Sequence, residues 1–189
     1  RVELFIEKLA TTKNVMTGKP FDPLPKYEPI KDAKGNEIRD AEYPFHLTTY
    51  KPVMHTQSRT AENDLLLSVM GQNFVEMHVD DARALSLRTG DSVRVTSRSN
   101  PEGIVGHVKV GYGVRPGVVA IANSFGHWQY GSQSWKIGGE ATKADPKRGR
   151  GLNSNLVMRV DESIGNVGLQ DVIGGSASYY DTRINVQKV

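Results

Sequence analysis

With 189 residues, 38% of them hydrophobic and 24% charged, the chain can bury a core as one domain with an extension or as two small domains. Its net charge is +3 and its basic residues are interspersed with acids, a pattern that gives no support to a nucleic-acid partner and leaves a discrete anionic ligand as a fitting one. The lack of cysteine excludes disulfides, thiolate metal sites and a cysteine nucleophile, and no apolar run approaches the roughly 20 residues of a membrane-spanning helix.

Residues 1–12 set Val2, Phe5, Ile6 and Leu9 at helical spacing. A chain that opens at Arg1 inside such a segment is expected to be a piece of something longer. Residues 18–44 hold five prolines among many charges, the composition of an extended connector lying over a surface. The expected division is therefore an N-terminal helix and connector over 1–42 and a compact body over 43–189. Strands are predicted at 45–50, 73–79, 91–97, 104–110 after the turn "SNPEG", and 117–122 after "VRPG". Between the second and third, "DDARALSLRTGD" predicts a short helix capped by Asp80 or Asp81, with Ala82 and Leu85 inward and a sharp exit at Gly90. "SNLVMRV" (154–160) and "TRINVQKV" (182–189) read as closing strands. The strand spacing is that of a barrel or sandwich, mainly β with short helices.

Three stretches carry binding chemistry. The first, "TYKPVMHTQSRT" (49–60), offers the charges of Lys51 and Arg59, the hydroxyls of Thr49, Thr56, Ser58 and Thr60, and the directional groups of His55 and Gln57. These types suit a phosphate and a heterocycle edge, although a solvated hairpin loop has the same composition. The second, "NSFGHWQYGSQSW" (123–135), follows an apolar strand. Its aromatic rings suit stacking, and His127 and Gln129 suit edge contacts; a hydrophobic plug is the plainer reading. In the third, "GRGLNSNLV" (149–157), Asn153 and Asn155 could form Asx turns or meet a purine.

A reaction centre is missing from this reading. The chain has no GxSxG elbow, no HExxH, no P-loop, no dinucleotide fingerprint and no DTG or DSG triplet. His46, His78 and His107 fall within strand patterns, and no histidine pair has metal-ligand spacing. No catalytic residue and no metal ligand are assigned.

The order of these stretches resembles the C-terminal dinucleotide-binding domain of molybdopterin oxidoreductases of the dimethyl-sulfoxide-reductase superfamily. The residues that carry the resemblance are the polar loop after the first strand, "DDARALSLRTGDSVRV", "VRPGVV" and "NSNLV". It covers roughly 43–189. The stretches "EKLATTKNVMTGKPFDPLPKYEP", "YKPVMHTQSRT" and "VIGGSASYYDTR" look like the tetrathionate, thiosulfate and arsenate reductase branch. The resemblance implies a six-stranded double-psi β-barrel with short helices and an irregular N-terminal extension. It implies closure over bis-molybdopterin guanine dinucleotide carrying molybdenum or tungsten, in an enzyme that reduces a sulfur or arsenic oxyanion in anaerobic respiration.

Carried onto this chain, loop 48–60 would approach pyrophosphate and pterin, with His55, Gln57, Ser58 and Arg59 as leading contacts beside Thr49, Lys51 and Thr56. His127, Trp128, Gln129 and Tyr130 would line a second cofactor-facing loop; Asn153, Asn155, Tyr180 and Arg183 would complete the set. In the family, the metal ligand and the iron–sulfur cysteines lie in upstream domains, so this chain alone is expected to be inactive. The implied partners are those domains and an iron–sulfur electron-transfer subunit, without nucleic acid or direct membrane insertion. An extracytoplasmic or membrane-associated complex is the implied setting, with the cytoplasm also compatible. The competing reading is a double-psi barrel that recognises proteins or substrates and has no redox role.

Overall fold

A computed structural model describes residues 4–189. Six strands close into a barrel: β1 (Phe45–Tyr50), β2 (Val75–His78), β3 (Ser92–Ser97), β4 (Asn100–Gly111), β5 (Val118–Ala122) and β6 (Thr182–Lys188). Their cyclic order is β1-β6-β3-β4-β2-β5. Alternation explains the strands: Phe45, Leu47 and Thr49 point into the barrel while His46, Thr48 and Tyr50 stay half-buried. Leu47, Val75, Met77, Val93, Val95, Val108, Val119, Ile121, Ile184 and Val186 fill the interior. Burial of each side chain of this size contributes about 1.5–3 kcal/mol.

The pairs β1–β5 and β2–β4 are parallel, and the remaining ladders are antiparallel. These two interlocked parallel pairs give the double-psi arrangement expected from the resemblance. Because β1 and β5 run the same way, Tyr50 lies beside Ala122 at their carboxyl ends. The ladder continues one step further, where Asn123 N–H donates to Tyr50 O at 2.9 Å. Loops 51–60 and 123–135 therefore leave the barrel at the same end.

Several expectations are corrected. Residues 154–160 do not form a closing strand. Asn153 Oδ1 accepts the Asn155 N–H at 3.2 Å and starts a 3-10 turn, Ser154–Val157, that sends Val157 into the core. Only Val160–Asp161 is extended, in a two-residue ladder with Val167–Gly168. Strand β4 begins at Asn100, inside the expected turn "SNPEG". A bulge absorbs the extra residues at Gly103, where φ is +68° and a Cβ would collide with Val95 O.

The helix after β2, α1 (Val79–Ala84), is capped by His78, whose Nδ1 accepts the Asp80 N–H at 3.2 Å; Asp80 and Asp81 occupy its first turn. Ala82 faces inward as expected, but Leu85 is partly exposed and Leu87 takes the buried place. The N-terminal helix is one turn, Glu7–Thr11, and Phe5 and Ile6 are exposed; Val2 lies outside the described residues.

The connector carries isolated bridges, Lys13–Pro20 and Lys31–Glu37, and is tied to the body by ion pairs of Arg98 with Asp40 and Glu42 and by two shorter contacts. Ala33 N–H donates to Asp161 Oδ2 at 2.7 Å. Arg159 Nε donates to Asp40 Oδ2 at 2.9 Å, with both side chains buried. Burial would raise the Asp161 carboxyl, but hydrogen bonds from Ser163 and Ala33 and the charge of Arg159 outweigh it and hold the pKa below the usual range.

Candidate functional site

A cleft of about 300 Å³ opens where β1 and β5 end. Strand β1 supplies Thr49 and Tyr50, and Lys51 follows directly. Gln57 and Ser58 come from a 3-10 turn, Gln57–Thr60, while Asn123, Ser124 and His127 come from the loop after β5. Asn153, Ser154 and Asn155 form the opposite wall, and Tyr179 and Tyr180 stand at the rim. The structure thus brings all three sequence-predicted stretches to one place.

Asn73, fully buried, is the staple that holds the walls together. Its Nδ2 donates to Ala122 O at 2.5 Å and Leu152 O at 2.8 Å, and its Oδ1 accepts the Leu152 N–H at 2.7 Å. Gly126 N–H donates to Arg150 O at 3.0 Å, joining the second loop to the third. That approach requires a glycine: φ at Gly126 is +71°, and a Cβ would collide with Asn153 N. Gln57 and Ser124, both at the cleft, and Tyr130 nearby are non-glycine residues with φ of +54°, +84° and +56°. Such conformations cost on the order of 1–3 kcal/mol and gather at functional sites.

Among the described residues no carboxylate lines the cleft. Lys51 has no ion-pair partner among the described residues, whereas many other cations of the chain are matched to acids. Asn153 spends its carbonyl on the Asn155 N–H, and Asn123 Oδ1 accepts the Ser124 hydroxyl at 2.9 Å. Among the described residues the N–H groups of both amides have no partner. The Tyr50 hydroxyl donates to Glu76 Oε1 at 2.8 Å; burial and this bond push its pKa up to about 12. His127 Nε2 is buried without a hydrogen-bond partner, and burial holds its imidazole pKa below the ordinary value. Its ring meets Tyr130 edge-on at 5.1 Å. A neutral imidazole with an unpartnered nitrogen, amide donors and an unpaired ammonium suit an anionic group next to a flat, amide-bearing ring.

Eight predicted residues line the cleft: Thr49, Lys51, Gln57, Ser58, His127, Asn153, Asn155 and Tyr180. The other seven do not. His55 is buried, its Nδ1 within 3.0 Å of Thr60 Oγ1 and its Nε2 within 2.9 Å of Met70 O, and its ring lies edge-on to Phe125. It braces the loop from inside. Thr56 and Arg59 are exposed and do not line the cleft. Trp128 borders a shallow neighbouring hollow that shares His127 with the cleft; Gln129 is exposed and Tyr130 meets the His127 ring edge-on. Arg183 sits opposite His46, toward the other end of β1, with Nη1 3.4 Å from Pro44 O.

Sequence reasoning did not single out Tyr50, Asn123, Ser124, Ser154 or Tyr179 as site residues. The signal for Tyr50 and Asn123 was their position at the ends of two strands, which matters only once those strands are known to be parallel neighbours. Among the described residues no three His, Asp or Glu side chains converge as a metal-binding group, and no helix is long and apolar enough to cross a membrane.

A family model described as the Molydopterin dinucleotide binding domain matches residues 45–172. The chain is 44% identical, over 98% of its length, to a selenate reductase subunit of Mesobacillus selenatarsenatis, covering 19% of that protein. It is 28% identical over 82% of its length to a tetrathionate reductase subunit of Salmonella typhimurium, and 28% over 79% to the arsenate respiratory reductase molybdopterin-containing subunit of a Shewanella species. It covers 15% and 17% of those proteins. It therefore spans less than a fifth of the length of each of these relatives. Among solved structures, acetylene hydratase from Pelobacter acetylenicus shares the fold. The TM-score is 0.63 at 19% identity, over 89% of this chain and 22% of that one. The barrel, its carboxylate-free cleft and a match that covers most of the chain together make it a member of the molybdopterin dinucleotide-binding domain family.

Proposed function

We propose that this chain is the cofactor-closing domain of a molybdenum or tungsten reductase acting on an oxyanion of selenium, sulfur or arsenic, with selenate foremost. The observation that carries the proposal is the 44% identity to a selenate reductase subunit over nearly the whole chain. Tetrathionate and arsenate reductase subunits resemble it more distantly. Selenate extends the substrate range beyond the sulfur and arsenic oxyanions that the sequence resemblance implied.

When bound, the dinucleotide carries the metal that performs the oxidation and reduction. The chain's own residues bind and orient. Lys51 and the N–H groups of Asn123 and Asn153 receive phosphate oxygens. Gln57, Asn155 and neutral His127 meet heterocycle edges, and Tyr179 and Tyr180 cover the rim. The chain spans less than a fifth of each of these relatives, so the remaining contacts fall to the rest of the same enzyme. An extracytoplasmic setting and an iron–sulfur electron-transfer subunit belong to the proposal through the family resemblance.

Purification of the full-length protein tests this reading. The expected result is molybdenum or tungsten with stoichiometric nucleotide, and viologen-dependent reduction of selenate faster than of tetrathionate or arsenate. A preparation loaded with metal and nucleotide but inert toward all three oxyanions would remove the substrate assignment. A fractionation that leaves the tagged protein and its electron-transfer partner in the cytoplasm would remove the extracytoplasmic setting.

A further inference from the structure

Residues 133–141 are exposed without a break, yet they are regular. Lys136–Ile137 and Glu140–Ala141 pair as a two-stranded ribbon. Gly138 and Gly139 turn it at φ of +59° and +90°, the two positive values that a tight hairpin needs. Thr142 locks its foot: the Trp135 N–H donates to Thr142 Oγ1 at 2.9 Å, the Thr142 N–H to Trp135 O at 2.7 Å and the Ser134 hydroxyl to Thr142 O at 2.6 Å. Alternation puts Trp135 and Ile137 on one face and Lys136 on the other. Trp135 is 52% exposed and Ile137 70%. A lone two-stranded ribbon with neither face covered is marginal in water.

The foot of the ribbon stands beside the cleft. The Asp145 N–H donates to Gly131 O at 2.8 Å, and the Ser132 hydroxyl donates to His127 O at 3.1 Å. Arg148, in the same foot, sets Nη2 3.3 Å from Asp64 Oδ1. It thereby ties the ribbon to the short helix Asp64–Val69, whose Leu65 and Val69, one turn apart, are exposed as well. Arg148 is matched to Asp64 and Asp145, whereas Lys136 and Lys143 have no ion-pair partner among the described residues.

We propose that the ribbon is a docking arm, and that together with the Leu65 and Val69 stripe it seats in the remainder of the same polypeptide, in an apolar notch edged by carboxylates. This chain spans less than a fifth of each reductase subunit it matches, leaving most of such a protein to cover the arm. The arm springs from the loop that carries His127, so whatever seats it stands next to the cleft, where the remaining ligand contacts must come from. The unpaired lysines call for acids at the edge of the notch. A second copy of this chain would set two basic arms against each other across a two-fold axis, which Coulomb repulsion disfavours. The proposal rests on the reading of this chain as one domain of a longer reductase and adds the surface by which that domain is held.

The test uses the full-length enzyme. Photo-crosslinking from p-benzoylphenylalanine in place of Ile137 is expected to give a product with the mass of one polypeptide, joined to a residue outside these 189. Trypsin is expected to spare the Lys136–Ile137 bond of the wild type. Ile137→Asp forces a charge on the apolar notch and is expected to speed that cut at least about tenfold, with cuts elsewhere unchanged. Ile137 is exposed and takes no part in the core, so this variant leaves the barrel intact. A crosslink to a second copy, to a separate subunit or within the 189 residues overturns the proposal, as does no crosslink at all. A wild-type arm cut as fast as that of Ile137→Asp overturns it too. Metal and nucleotide content of the same preparation is read separately. An empty enzyme with a seated arm overturns the cofactor reading and upholds the docking arm, and a loaded enzyme with a free arm does the reverse.

Discussion

Arg159 Nε donates to Asp40 Oδ2 across 2.9 Å, and this buried pair joins the irregular connector to the barrel. Arg159 also donates to Val160 O and approaches Glu162 at 3.3 Å, so its charge is well compensated only while Asp40 is present. Asp40→Ala leaves a buried guanidinium short of its closest carboxylate and is expected to cost about 3–5 kcal/mol. Urea unfolding measures the loss. Limited proteolysis should show cleavage within residues 12–44 well before the barrel is cut.

Asn73→Ala removes three hydrogen bonds at once and leaves two carbonyls and one N–H unpartnered in the interior. Each such group costs about 1–3 kcal/mol. The barrel strands do not depend on this side chain, but the registration of the 149–157 stretch against β5 does. The expected outcome is a lower melting temperature together with poorer nucleotide retention in the full-length enzyme. Asn73→Asp keeps the acceptor for Leu152 N–H but sets a buried carboxylate oxygen against the Ala122 and Leu152 carbonyls, so it should melt no higher than the alanine variant.

Gly126→Ala places a methyl group against the backbone of residues 152 and 153. Neither side can give way by a rotamer change, so the two walls must part. Nucleotide retention should fall at least tenfold while the far-UV spectrum of the barrel stays unchanged. Retention equal to wild type would mean that the walls tolerate separation.

His127 carries a pH dependence whose sign follows from burial. Its folded pKa lies below the ordinary 6.5 because burial disfavours the imidazolium. Below about pH 6.5 the unfolded chain takes up a proton that the folded chain refuses, so stability falls as the pH drops through that value toward the folded pKa. His46, lowered by burial and by Arg183, contributes in the same direction. His127→Gln keeps a neutral hydrogen-bonding side chain and should flatten the fall in stability between pH 7.5 and 5.5. An unaltered slope would show that other groups carry it.

The strands were legible because alternation is a local property. Val93 and Val95 against Arg94 and Thr96 leave a single way to lay β3 on a core. The stretch 154–160 misled because its apolar residues suit a strand as well as a turn. What decides is the Asn153 cap and the need to plug the barrel with Val157, and both depend on partners distant in sequence. Loop chemistry was legible as composition only. His55 and Lys51 are equally polar in the sequence, yet one turns inward to hold Met70 O and Thr60 while the other faces the cleft. Tyr50 shows the same limit, since its hydroxyl bonds Glu76 two strands away.

The barrel closes by setting β1 beside β6, so that Phe45 is paired with Ile184. The two partners lie 139 positions apart in the chain, and pairings this distant are slow to form. On a ribosome the first strand emerges long before the last and waits beside an open seam, with its apolar residues and edge unprotected. The walls that carry Asn153 and Tyr180 also arrive late. A nascent chain stalled before residue 182 lacks β6, and the seam beside β1 stays open.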